Sequence, residues 1–220
     1  MGNELKTIEA SVPGGAAGQA ADASGLLVAC GGTFDPLVKA LRIGLVRGLA
    51  GIIGQGWDHD HVVALARELV RQDVLVLVAA NAAPGLETAG GLEDSVAEAV
   101  GAGLGDFCDH LGLAPVVRLD GDGEAAPILW SCAWLAEALG VAGEALPVVV
   151  CAPQGPSGQA AGIGLHEAAA AAGCEPRCRL GEAYGVEADP AGAAAAIGRR
   201  ITARRLALGL NDRYDGTVYS

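Results

Sequence analysis

No stretch of this 220-residue chain holds the ~18 consecutive apolar residues needed to cross a bilayer. The longest-looking run, Leu146 to Ala152, has the length of a buried strand. The N-terminus lacks a charged start followed by an apolar stretch, so no signal peptide is expected. Position 6 is Lys6 rather than Ser or Thr, which argues against myristoylation after Met1-Gly2. Basic residues are scarce: 14 Lys and Arg stand against 26 Asp and Glu, a formal charge of −12. Such a chain repels phosphate backbones and anionic lipid, which excludes nucleic acid and membrane surfaces as expected partners. The cytoplasm is the expected location.

The six cysteines, Cys30, Cys108, Cys132, Cys151, Cys174 and Cys178, form no C-x-x-C. The closest pair is spaced C-x3-C, poor for zinc or iron–sulfur ligation. Most lie in apolar surroundings and read as structural thiols of a reducing compartment. Neither G-x-G-x-x-G nor G-x-x-x-x-G-K-[ST] occurs, which removes the usual nucleotide fingerprints. No G-x-S-x-G is present, so an α/β-hydrolase is not expected. Ser157 has no neighbouring His, and nothing points to a Ser–His–acid triad.

What is present is a core. Apolar residues make up 51% and charged residues 18%, too apolar for disorder. Residues 1–24, rich in Gly, Ala and Ser, read as a flexible lead-in, 25–210 as one domain, and 211–220 as a tail. Short apolar runs alternate with helical patterns. The runs are Leu26–Ala29, Leu49–Ile53, Val74–Val78, Pro115–Leu119 and Pro147–Cys151, with a weak edge strand near Arg177–Leu180. Helices are predicted at 35–43, 58–71, 86–102, 104–111, 124–139, 157–172 and 190–208. Asp35 is a natural N-cap and Pro36 suits a first turn. The alternation predicts an α/β fold: a doubly wound, Rossmann-like, mostly parallel sheet of five to six strands with helices on both faces. In such sheets ligands bind beyond the carboxyl ends of the strands, so the loops after each run come under scrutiny.

Gly31-Gly32-Thr33-Phe34-Asp35 offers backbone N–H groups for an anion, or simply a turn and cap. Asp58, His59, Asp60 and His61 could supply metal ligands. Against that, residues two apart diverge on a helix, and Asp58 or Asp60 suits an N-cap. Asp120, Asp122 and Glu124 alternate as in a calcium loop, but Ser131 stands where the closing glutamate belongs.

From Gly31 to Leu210 the chain resembles the C-terminal region of nickel–iron–sulfur carbon monoxide dehydrogenases, of the hybrid-cluster (prismane-like) superfamily. Gly31-Gly32-Thr33-Phe34-Asp35-Pro36-Leu37 is similar to the family's Gly-Gly-Ser-Leu-Asp-Pro-Leu. His61-Val62 and Asp73-Val74-Leu75-Val76 resemble its His-Val-Thr and Asp-Val-Leu-Val-Val, and Leu146-Pro147-Val148 resembles its Leu-Pro-Val. Val186 to Pro190 and Arg205 to Leu210 match its closing helix.

The resemblance implies cluster-binding cysteines after three of the strands and an acid–base lysine after a fourth. Here the cysteine of Gly-Cys-Asn-Asn falls on Gln55, that of Thr-Gly-Cys on Asn81, that of Gly-Ser-Cys on Asp122, and the lysine of Ser-Glu-Lys-Ala on Gln159. Amides are poor ligands for soft metals, and a Gln cannot relay protons as a lysine does. The expectation is therefore a prokaryotic pseudoenzyme with no catalytic residue, metal or cofactor. It would serve as a scaffold, an accessory subunit or a homodimer. The alternative is a repurposed binder of a small ligand or hard cation in a crevice lined by Gln55, Asn81, Asp122 and Gln159. A third reading is a maturation role, with a partner's cysteines completing a site.

Overall fold

The computed structural model describes residues 24–79, 82, 95–119, 126–153, 184–186 and 189–210. Its elements are α1 (Ser24–Ala29), α2 (Asp35–Ile43), β1 (Gly48–Ile52), α3 (His59–Val70), β2 (Val74–Ala79), α4 (Ala102–Leu111), β3 (Val116–Leu119) and α5 (Ala126–Leu139). A 3-10 turn (Gly143–Ala145), β4 (Val148–Pro153), β5 (Tyr184–Val186) and α6 (Pro190–Ala207) follow.

The five strands are all parallel, in the order β3-β2-β1-β4-β5. Strands β1 and β2 are buried at every residue, as expected of a sheet covered on both faces. Two glycines of β1 show what covers it. A Cβ at Gly48 would fall 2.6 Å from Ile201 Cγ2 of α6, and one at Gly51 would fall 3.0 Å from Ile128 Cγ2 of α5. The missing side chains let a helix settle close against each face of the central strand. α3 packs beside α6 on one face, and α2 beside α5 on the other. The core runs through Leu37, Leu41, Leu49, Ile52, Leu65, Leu75, Leu77 and Ile197.

The doubly wound parallel sheet predicted from the alternation is the architecture found. One strand is corrected. Leu26–Ala29 is not a strand but the body of α1, and Val28 is 69% exposed. Gly31 and Gly32 take φ of +80° and +86°, and their N–H groups donate back to Val28 O and Leu27 O. These glycines end a helix rather than a strand. Asp35 also differs: it is the first helical residue, not the cap, and its N–H donates to Thr33 Oγ1 at 3.2 Å. The predicted segments 86–94, 157–172 and 177–180 lie outside the described residues, and the edge strand observed is β5. Among the described residues no helix is long and apolar enough to cross a membrane.

Candidate functional site

The strand order reverses between β1 and β4, so the crevice of this sheet opens beyond Ile52 and Pro153. The loop leaving β1 is held in place from both sides. Ile53 N–H donates to Cys151 O at 2.9 Å, extending the ladder to β4 by one bond. Trp57 Nε1–H donates to Ile53 O at 2.9 Å, folding the indole back over the turn formed by Gly54, Gln55 and Gly56. Gln55 sits at the tip of that turn, exposed at the crevice end of the central strand.

Asp58 then caps α3, its Oδ1 accepting from His61 N–H at 3.1 Å. Its carboxylate thereby serves the helix terminus, one of the two roles the sequence left open. His59 and Asp60 are exposed. The His61 ring lies 5.9 Å from the Trp57 ring, and its Nε2 is buried with no hydrogen-bond partner among the described residues. His59 and His61 both fall in the first turn of α3, where residues two apart point away from each other. Among the described residues, no three His, Cys, Asp or Glu side chains come together to hold a metal ion. Asn81, Asp122 and Gln159 lie outside the described residues. Replacing Asp58 with Ala should cost about 1 kcal/mol of stability by urea unfolding, and Asp58→Asn only a few tenths. Equal losses from both would show that the carboxylate does more than cap.

Four cysteines, Cys30, Cys108, Cys132 and Cys151, are buried and unbridged. Burial pushes the Cys30 thiol up to about 11 and the other three up to about 12. Asp109 adds to the effect at Cys108, while Arg204 and Arg200 oppose it at Cys132 and Cys151. Cys151 is the strand partner of Ile52, close to the crevice, yet belongs to the core. Protonated and enclosed, these thiols behave as small hydrophobes.

A set of arginines escaped the sequence reading. Arg205 of α6 is wholly buried and donates to the carbonyls of Val46 and Arg47 at 3.3 and 2.9 Å. Arg47 in turn donates to Gln72 O and Thr202 Oγ1, and Arg204 to Leu146 O and Val148 O. All of this lies at the starts of β1, β2 and β4, opposite the crevice. The doubled arginines of α6 are the only sequence signal for it.

A parallel sheet with its order reversing at the central strand, and tight turns at the strand ends, defines a crevice-bearing α/β domain. The model of the Prismane/CO dehydrogenase family matches residues 4–181, and the chain belongs to that family. Carbon monoxide dehydrogenase of Methanocaldococcus jannaschii is 33% identical over 129 residues, covering 56% of this chain and 21% of the relative. Carbon monoxide dehydrogenase 1 of Methanosarcina mazei is 32% identical over 149 residues, covering 66% and 24%. The as-isolated, nickel-free carbon monoxide dehydrogenase of Thermococcus sp. AM4 superposes with a TM-score of 0.63 at 29% identity, covering 84% of this chain and 33% of that one. The chain thus spans a fifth to a third of the length of these relatives.

A nickel–iron–sulfur cluster needs thiolate donors facing the crevice. At the end of β1 the donor offered is the carboxamide of Gln55, and the four described thiols are protonated in the core. The described residues do not fit such a cluster.

Proposed function

We propose that this carbon monoxide dehydrogenase-like domain does not oxidise carbon monoxide itself and acts by protein association, as a scaffold or accessory subunit or as a homodimer. The observation that carries this reading is Gln55. It stands on a turn held by Trp57 and by the β4 ladder, at the position where the family's first strand-end cysteine falls. The loop is built and its donor is neutral, so the scaffold outlives the chemistry that thiolates would supply. By the resemblance, Asn81, Asp122 and Gln159 stand in the sequence where the family has two further cysteines and a lysine. We take residues 25–210 as the unit that folds, and the cytoplasm as its place.

The test is anaerobic purification followed by metal and acid-labile sulfide analysis, with carbon monoxide-dependent dye reduction on the same sample. No stoichiometric nickel, iron or sulfide and no turnover are expected. A cluster-loaded preparation that reduces dye would overturn the proposal.

A further inference from the structure

Helix α2 turns Pro36, Lys39, Ala40 and Ile43, spaced at the helical period, to one side, and α4 does the same with Asp106, Phe107 and His110. α4 rests closely on the segment that follows α2: a Cβ on Gly103 would fall 2.6 Å from the Leu45 carbonyl oxygen. Between the two helical faces lies a cavity of about 280 Å³. Leu45, just ahead of β1, lines it, whereas Gln55 and Trp57 of the crevice do not. Its wall is mostly apolar, with Ala40 and Phe107 buried and Ile43 and Leu45 half-buried. Its charge stands at the rim. Lys39 is exposed on the α2 side, and Asp106 and His110 are exposed on the α4 side.

We infer that this cavity binds a free α-amino acid with an apolar side chain. Size bounds the ligand. A water takes up about 30 Å³, so the space holds roughly nine, close to the number of non-hydrogen atoms in leucine. Charge selects its class. A bare carboxylate would meet Asp106 and a chain of net charge −12, and a bare amine would meet Lys39. A zwitterion has no net charge to repel. It offers its carboxylate to Lys39 and its ammonium to Asp106, one from each wall. His110, one turn along α4 from Asp106, adds a ring N–H at the same rim. The apolar side chain then leaves water against Ala40, Ile43, Leu45 and Phe107. The site shares no residue with the crevice, so it stands or falls separately from the non-catalytic reading.

Isothermal titration calorimetry of the full chain with L-leucine and with L-phenylalanine tests this. A ligand of this size binds at about 0.1–1 mM, so titration to ~10 mM covers the range. At least one of the two should bind at a single site per chain. Glycine, which has no apolar body, should not bind. Isocaproate and isoamylamine, which each keep one of leucine's charges, should bind about tenfold more weakly than leucine. Lys39→Met and Asp106→Asn, both at exposed positions, should each weaken binding about tenfold with an unchanged circular dichroism spectrum. Asp109→Asn, on the same helix but outside the cavity, should leave it unchanged. Absence of binding by both amino acids across that range would overturn the inference. So would binding that either single-charge analogue matches, or that survives Lys39→Met or Asp106→Asn.

Discussion

Replacing Arg205 with Ala is expected to cost roughly 2–5 kcal/mol, a large share of the ~5–15 kcal/mol that holds a typical domain together. The side chain is wholly buried, and its guanidinium is held by the carbonyls of Val46 and Arg47 just ahead of β1. Truncation leaves a cavity and takes a buried donor from both carbonyls. Arg205→Lys keeps the charge but gives up the planar fork that reaches two acceptors, so an intermediate loss is expected. Urea unfolding measures both, with an unchanged m-value showing that stability alone has moved. A loss below ~1 kcal/mol for the alanine variant would mean that α6 is held by its apolar contacts, Ile197 and Ile201 among them, and not by its arginines.

The second large effect concerns the thiols. At pH 8 a cysteine of ordinary pKa near 9 is about one-tenth thiolate, and one near 12 about one part in ten thousand. Alkylation of Cys132 and Cys151 in the folded protein should therefore be slower than that of a free cysteine by about three orders of magnitude, and urea should abolish the difference. Iodoacetamide labelling followed by peptide mass mapping reads this residue by residue. Rapid native labelling of Cys132 or Cys151 would show that the core is open there. The pH dependence has a definite sign. The folded state keeps these protons to about pH 12, while the unfolded chain gives them up near 9. Their contribution to stability is thus complete below pH 9 and is lost as pH rises towards 12. A thiol that clings to its proton in this way is also a poor metal ligand, because ligation needs the thiolate.

How much could be read in advance depended on how much pattern each segment held. Val74–Val78, a continuous valine and leucine run, announces a strand buried on both faces, and the strand found extends it by one residue to Ala79. Helix α3 declared itself through Val62, Leu65, Leu69 and Val70 on a single face and through Asp58 at its start. Leu26–Ala29 misled because four apolar residues carry no period, and the glycines after it close a helix as readily as a strand. At the site, Gln55 was legible as a residue of the loop after the second apolar run, because Gly54 closes that run. The Trp57 hydrogen bond to Ile53 O and the burial of His61 Nε2 were not, since both depend on where a turn sends its side chains. The grip of α6 on the far end of the sheet was hidden for a related reason. Arg205 meets residues 158 and 159 positions away, beyond the reach of any local periodicity.

The strand order has a consequence for how the chain acquires its shape. Central β1 finds its first neighbour, β2, within one helical crossover, but its other neighbour, β4, arrives only about a hundred residues later. While the ribosome is still at work, one flank of the middle strand stays bare. The β1-α3-β2 unit is placed to condense early, because its ends meet at small loop-closure cost. The sheet is completed only when β4 slots in, and the late α6 then clasps the strand starts. In the interval an exposed, wholly apolar strand edge invites mispairing, so the nascent protein passes through its most aggregation-prone stage just before β4 emerges.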